Sequence, residues 1–415
     1  MFKDFSILIK YSLIGQILNF SLYPVLTYLY TPAEFALFNY YYFGTMFFSL
    51  LIGFSQEFYI INLKNKRLIF FQMVVIIKRY ILIFPFLVLF LLISYYFNKI
   101  KVEYLFIIFL SYLGAIILTI YNSFCEIYIK YGKIKNNAIL RFSFNVLPNL
   151  VKTIFGIIQS NLIIIYSDFF MKLFVCKDFI ILLFNFFKKN KNDIAYNKEI
   201  KTLKKNNKEF NKYYPFDNFL NVVNGIIYLP FFGFLFGNEN LGIISFCFSL
   251  LYVPVSIFTT SFKDLYRNKI LNKIKENENL LIFTTKYSII VFIFGFFVFF
   301  STYVMLPYVF QYIFSAEWNK VLQIYPYLIP LFFFNFFSMS FSGVLIIIDN
   351  FKISFYYQIF NSLLTFSVFT FFYFYKTSLL DALFIFSLIK SISYILYYFV
   401  MIITISNYKG QLNEF

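Results

Sequence analysis

Long apolar segments recur along the whole chain and are separated by short polar or basic stretches. Many of them reach about 20 residues, the length that a helix needs to cross a bilayer. Their apolar residues are continuous, whereas the strands of a membrane barrel alternate apolar and polar positions. Because only helices and closed barrels satisfy their backbone hydrogen bonds in lipid, the pattern predicts an all-α polytopic membrane protein.

The apolar pattern predicts about 12 transmembrane helices, at 5–30, 35–63, 80–97, 104–129, 138–160, 161–187, 213–237, 241–262, 287–305, 321–348, 353–375 and 380–406. The basic connection 188–212 separates an N-terminal six-helix lobe, 1–187, from a C-terminal six-helix lobe with a short cytoplasmic tail, 213–415. Similar proline-centred segments around Pro24 and Pro230 indicate that the first and seventh helices correspond, as in two repeated halves.

Basic residues are distributed unequally between the two sides of the predicted bundle. Most of the 36 Lys and Arg residues lie at the termini or in connections after even-numbered helices, and only Lys99, Lys101, Lys320 and Lys376 follow odd-numbered ones. The positive-inside rule therefore places both termini in the cytoplasm. The net charge of +17 indicates topology and contact with membrane lipids, and it does not indicate nucleic-acid binding.

The composition narrows the chemistry that the chain can perform. Charged residues make up 13% of it, against about 25% in soluble proteins. There is no His, which excludes histidine-based acid–base catalysis and His metal sites, and the three Cys residues lie too far apart for a metal site or a disulfide framework. We expect no metal site, no catalytic residues and no enzymatic activity. No cleavable signal peptide is apparent, and the first helix is expected to remain as a span.

Six cations fall inside the predicted spans: Lys10, Arg141, Lys152, Lys172, Lys177 and Lys390. A Lys or Arg at the bilayer centre costs about 2.5–3.5 kcal/mol on insertion scales, so these side chains should face a wet cavity or be paired. Arg141, Asn145, Pro148, Lys152 and Gln159 form one stripe along the fifth helix.

Polar stripes that include Asn19 on the first helix and Asn224 on the seventh predict a lumen shared by the two halves. For the amides, interhelical hydrogen bonding is an equal alternative. The cations predict an anionic substrate, with Lys152 as the best candidate contact because no acid lies three or four residues away on its helix.

Acidic residues are fewer in the spans. Asp168 and Lys172 are four residues apart and can form an ion pair within one helix. Glu57, Glu126 and Asp168 are candidates for binding a coupling proton or Na⁺, with pairing to a lysine as the favoured alternative.

Four segments, 30–61, 126–141, 208–262 and 313–352, resemble the polysaccharide (O-antigen) flippases of the multidrug/oligosaccharidyl-lipid/polysaccharide exporter superfamily. The first carries a Thr-Pro-acid-Phe turn, "TPAEF", and Glu57 before an apolar end. The resemblance implies two six-helix lobes around a central cavity in the bacterial inner membrane, and a cationic N-terminal lumen. It implies that undecaprenyl-diphosphate-linked sugar repeat units are translocated by alternating access, as for O-antigen, lipopolysaccharide or capsule synthesis.

Two other functions are considered beside a flippase. A membrane-embedded polysaccharide polymerase or ligase would need a large periplasmic loop, and the longest outward connection here is short. A cation-coupled drug antiporter of the same superfamily would need a buried acid without lysine partners. We expect no cofactor other than a possible proton or Na⁺ gradient, and the partners expected are the lipid-linked glycan, membrane lipids and other proteins of the assembly pathway.

Overall fold

The computed structural model describes residues 2–54, 57, 60, 66–97, 101–131, 133–158, 162–189, 208–276, 279–342, 344–348 and 350–408. These residues form helices joined by turns, with no strand among them. The helices are α1 (Phe2–Leu29), α2 (Pro32–Gly53), α3 (Lys66–Tyr96), α4 (Val102–Lys130), α5 (Ile134–Phe155), α6 (Ile163–Lys189), α7 (Lys208–Ile226), α8 (Tyr228–Phe236), α9 (Asn238–Lys275), α10 (Leu280–Ile313), α11 (Lys320–Met339), α12 (Val344–Ile347), α13 (Phe351–Tyr375) and α14 (Leu379–Ser406).

Within the described ranges, seven helical segments are long and apolar enough to cross a membrane, so the chain is a multi-pass membrane protein. They are Pro32–Gly53, Leu68–Tyr96, Val102–Lys130, Pro215–Phe236, Leu280–Ile313, Lys320–Met339 and Leu379–Ser406. Each of the remaining predicted spans also corresponds to a long helix, namely α1, α5, α6, α9 or α13. The all-α polytopic class is therefore confirmed.

Several predicted helix ends were wrong. The second span was extended to 63, but α2 ends at Gly53 because Phe54 adopts the left-handed conformation, with φ 49° and ψ 40°. Residues 263–275 were assigned to a loop, whereas α9 continues through them. The extension carries an apolar stripe, Tyr266, Ile270 and Ile274, which is buried at a spacing of four residues.

The chain divides into two compact units, Met1–Pro230 and Phe231–Phe415. The sequence placed a linker at 188–212, and residues 190–207 of it lie outside the described residues. Helix α7 groups with the first unit because it packs on α2, where the Phe216 ring meets Phe54 edge-on at 5.0 Å. The second unit has an aromatic core in which Trp318 is fully buried against Phe246.

In the first unit, α2 packs closely on α4 and α1 on α5. At the start of α2, the Thr31 side chain accepts from the Glu34 backbone N–H, and the Glu34 side chain accepts from the Thr31 backbone N–H. Pro32 lies in the first turn of the same helix, so the "TPAEF" motif is a helix start. At Gly44 the helices are so close that a Cβ atom would lie 2.7 Å from the Ser111 hydroxyl oxygen. Small residues at these positions let the helix backbones approach, as is usual for helices packed in membranes.

Candidate functional site

Two lysines and one aspartate lie together between α5 and α6. The Lys152 Nζ of α5 lies 2.8 Å from Asp168 Oδ1 of α6, and the Lys172 Nζ lies 2.6 Å from Asp168 Oδ2. Lys152 is 3% exposed and Asp168 2%, whereas the Lys172 side chain is 17% exposed. We call these three residues the lysine–aspartate cluster.

Side chains and backbone from α1, α2 and α5 hold Lys152 in place. Its ammonium donates to Asn149 Oδ1 at 3.2 Å, and the Asn149 amide donates to Asn19 Oδ1 at 3.0 Å. The Nζ atom lies 3.8 Å from the centre of the Phe38 ring, within the range of a cation–π contact. The Tyr30 hydroxyl donates to the Lys152 carbonyl at 2.7 Å, so the backbone at this turn is fixed as well.

Lys172 lies at the more open side of the cluster. Its Nζ is 5.3 Å from the centre of the Phe144 ring, and that ring stacks on Tyr121 at 3.8 Å. One carboxylate faces two ammonium groups, so the cluster carries a surplus positive charge. Buried charge without full compensation is costly, and a second anion at Lys172 would reduce that cost.

The structure corrects the inference that Lys152 has no acidic partner, and it confirms the predicted ion pair of Asp168 with Lys172. Lys152 has no acid on its own helix, but it pairs with Asp168 on the neighbouring helix. The ion pair of Asp168 with Lys172, four residues apart, is present. The sequence analysis considered Lys152 and the Asp168–Lys172 pair separately, and the structure combines all three residues in one cluster.

The other candidate cations of the first unit do not join this cluster in the described contacts. Arg141 and Asn145 are exposed on α5, so among the described members of the predicted stripe only Pro148 and Lys152 are buried. Lys177 is exposed, with its Nζ 4.2 Å from the centre of the Phe174 ring. The side chain of Lys10 and the whole of Gln159 lie outside the described residues.

The second unit contains a buried lysine of a different kind. Lys390 of α14 is 3% exposed and donates to Asn361 Oδ1 of α13 at 2.8 Å. Ser393 donates to the same oxygen at 3.2 Å. Within the part of the chain that the structure describes, no carboxylate forms an ion pair with Lys390. Asn224 of α7, the last amide candidate, belongs to the first unit and is buried.

The sequence analysis missed Asn361. The signal was available, because Gln358, Asn361 and Thr365 are spaced by three and four residues and all three are buried on α13.

The two glutamates proposed for ion coupling are both buried, Glu57 at 2% exposure and Glu126 at 8%. Among the residues that the structure describes, Glu57 Oε2 has no hydrogen-bond partner. The three cysteines are buried and free. Among the described residues, no group of three metal-ligating side chains comes together.

No protein-family model and no curated protein matches the sequence. Solved structures match along nearly the whole chain. An inward-facing multidrug resistance MATE family transporter of the MOP superfamily is 12% identical, with a TM-score of 0.69 over 94% of each chain. A MOP superfamily transporter from Pyrococcus furiosus Vc1, described as having a binding pocket of reverse polarity that suggests a different function, is 14% identical, with a TM-score of 0.62 over 97% of this chain and 95% of that one.

A MATE protein in complex with MaD3S is 13% identical, with a TM-score of 0.62 over 97% of this chain and 95% of that one. These sequence identities are low, so the likeness is one of fold. The chain thus has the fold of the MATE transporters of the MOP superfamily.

Proposed function

We propose that this chain is a transporter that moves undecaprenyl-diphosphate-linked oligosaccharide repeat units across the bacterial inner membrane by alternating access. The cargo would serve surface polysaccharide synthesis, and both termini would lie in the cytoplasm. The observation that carries the proposal is the lysine–aspartate cluster, in which two lysines share one buried aspartate. The shared transporter fold and the resemblance of four sequence segments to polysaccharide flippases support it.

The charges of the cluster favour an anionic cargo. Each lysine ammonium has three protons to donate, and Asp168 can neutralise only one of the two charges. Lys172 is the partly exposed member, so it can be reached from outside the cluster. A diphosphate supplies several strong acceptor oxygens and more than one negative charge, which matches a surplus cation better than a neutral or cationic drug does.

For the Pyrococcus furiosus transporter, the reverse polarity of the binding pocket is described as suggesting a different function. The polarity of a pocket can therefore be used to compare candidate functions among proteins of this fold. In the chain described here, the acid inside the α5–α6 contact is paired twice, so it is not free to bind a cationic drug. The surplus of positive charge therefore supports a cargo that carries phosphate groups.

A cation-coupled drug antiporter is the second candidate. It is favoured by the likeness to multidrug MATE transporters and by Glu57, a buried acid with one oxygen that has no hydrogen-bond partner in the described part of the chain. The two candidates differ in the charge of the cargo, so a binding experiment separates them.

Binding to the purified full-length protein in detergent tests the charge of the cargo. A short-chain polyprenyl diphosphate should bind wild type, and Lys152→Ala and Lys172→Ala should each weaken binding by about tenfold or more, since each removes a charge-assisted contact or its support. Lys320→Ala is the matched control, because Lys320 also pairs with an acid, Glu239, but is exposed. Binding of a lipophilic cation in place of the diphosphate would favour the drug antiporter.

Complementation of a strain that lacks its own polysaccharide flippase tests the cargo itself. Lys152→Ala should abolish surface polysaccharide at a normal protein level, while Lys320→Ala should support it. Unchanged polysaccharide with Lys152→Ala would remove Lys152 from the mechanism.

A further inference from the structure

We propose that a groove between the end of α2 and the side of α3 binds an anionic phospholipid, with Arg79 contacting the phosphate and apolar side chains contacting an acyl chain. The α2–α3 groove belongs wholly to the first unit and is lined by Leu51, Ile52, Phe54, Arg79, Leu82 and Ile83. None of these residues belongs to the lysine–aspartate cluster, so the proposal does not rest on the transport function and can be tested without any cargo.

The groove lies where α2 ends and α3 continues past it. Helix α2 ends at Gly53, and Phe54 leaves it in the left-handed conformation, with its ring edge-on to Phe216 of α7 at 5.0 Å. Helix α3 begins at Lys66, so roughly 20 Å of it precedes Arg79 at 1.5 Å per residue. Arg79 therefore lies beside the end of α2, well inside α3.

The floor of the groove is part of a packed core, whereas its rim is open. Ile52 is 2% exposed, and Ile83 is partly buried against the same apolar cluster. Leu51 and Leu82 on the rim are 47% and 70% exposed, so the groove opens to the outside of the helix bundle. Its volume of about 370 Å³ is at the lower end of the range of about 300–1,000 Å³ that is typical of ligand pockets. The groove can therefore hold a segment of one acyl chain.

Arg79 supplies a cationic end to this apolar groove. Arg79, Leu82 and Ile83 are spaced by three and four residues, so they share one face of α3. The Arg79 side chain is half-buried, and in the part of the chain that the structure describes no carboxylate pairs with it. A guanidinium has five N–H donors in a planar arrangement that matches the oxygens of a phosphate. A phosphate group at Arg79 would therefore satisfy donors and a charge that the described residues leave uncompensated.

The depth of the groove in the membrane matches the two parts of a phospholipid. Helix α2 has 22 residues, or roughly 33 Å, close to the hydrocarbon thickness of about 30 Å, so its end lies near a membrane surface. Leu82 and Ile83 lie about one turn deeper than Arg79. The distribution of Lys and Arg predicts that this surface is the cytoplasmic one, where anionic lipids attract cationic side chains. An anionic phospholipid therefore fits both the charge and the depth of the groove.

Native mass spectrometry of the purified full-length protein tests the site. Phosphatidylglycerol and phosphatidylcholine with the same acyl chains are titrated separately, and phosphatidylglycerol should bind wild type more tightly. Arg79→Gln should weaken the tightest phosphatidylglycerol binding by about tenfold, the loss expected when a charge-assisted hydrogen bond is removed. Lys78→Gln is the matched control and should leave this binding unchanged, because Lys78 is exposed at the same depth but does not line the groove.

A second variant tests the apolar part of the groove while keeping the charge. Leu82→Trp should also weaken phosphatidylglycerol binding, because the larger ring fills space that the acyl chain would occupy. Leu89→Trp is its control, since Leu89 is an exposed residue of the same helix that does not line the groove.

Equal binding of the two lipids to wild type, or equal effects of Arg79→Gln and Lys78→Gln, would overturn the proposal, because only general attraction to a basic surface would remain. Displacement of phosphatidylglycerol by a polyprenyl diphosphate would also overturn it and would assign the groove to the cargo. If Arg79→Gln does not give folded protein, wild type in liposomes decides. Phosphatidylglycerol with a diazirine on its acyl chain should label 51–54 and 82–83 on illumination, and labelling spread evenly along α3 would contradict the proposal.

Discussion

Asp168 is the residue on which the lysine–aspartate cluster depends. It compensates two ammonium groups, one of them fully buried, whereas each lysine compensates only Asp168. Removing the acid leaves two cations with no opposite charge, while removing one lysine leaves a neutral pair. The three side chains are therefore unequal in their effects on stability.

Asp168→Asn should lower the free energy of unfolding by about 3–5 kcal/mol, the cost expected for breaking a buried ion pair by removing one partner. Lys172→Met should cost less, because Lys172 is partly exposed and the Lys152–Asp168 pair remains. Thermal unfolding of the purified variants in one detergent measures both. Equal losses would show that Asp168 does not hold the cluster together.

The sequence predicted part of this cluster. The spacing of Asp168 and Lys172 on one helix was enough to predict their ion pair. The contact between Lys152 and Asp168 joins two helices, so it depends on how α5 packs on α6. The spacing of residues within one helix contains no information about that packing. The hydrogen-bond chain from Lys152 through Asn149 to Asn19 depends on the docking of α1 in the same way.

At the scale of elements, close helix packing in the first unit depends on glycine at particular positions. Gly44 of α2 faces Ser111 of α4, and the single hydroxyl proton of Ser111 is shared between the Tyr41 carbonyl of α2 at 3.0 Å and the Ile107 carbonyl at 2.8 Å. A side chain at Gly44 would separate the two helices and disrupt these bonds.

Gly44→Ala should therefore destabilise the protein by about 1–3 kcal/mol, as overpacking of a filled core does. Gly225→Ala in α7 is the control, because among the described residues no heavy atom beyond its own helical turn lies within 4 Å of the Cβ that it would add. There the higher helix propensity of alanine should leave stability equal or slightly raised. Thermal unfolding of both variants gives the comparison, and a stable Gly44→Ala protein would show that α2 can shift on α4.

Helices were predicted better than their ends. Continuous apolar sequence predicted where helices lie, because burial in lipid requires it. The ends depend on local backbone conformation and on packing beyond the membrane. Phe54 ends α2 in a left-handed conformation that an apolar pattern does not predict. The extension of α9 combines lysines with a buried stripe, and a hydropathy pattern alone assigns such a mixture to a loop.

At the scale of the whole molecule, the unequal distribution of Lys and Arg predicts its orientation. Single cysteines introduced into a cysteine-free variant can test this. Ala316→Cys, between α10 and α11, should react with a membrane-impermeant maleimide in intact spheroplasts, and Asn407→Cys, after α14, should react only after lysis. Both positions are exposed, so labelling should be limited by the membrane and not by the fold. The reverse result would place both termini outside.

The sharing of Asp168 has a consequence for how quickly a cargo would leave. A phosphate group that binds Lys172 competes with a carboxylate already tethered 2.6 Å from the same nitrogen. That internal competitor is always present, so it shortens the residence time of any anion at this position, whatever the cargo's other contacts. Weak retention would suit the transporter proposed above, which must release each cargo molecule before it can bind the next.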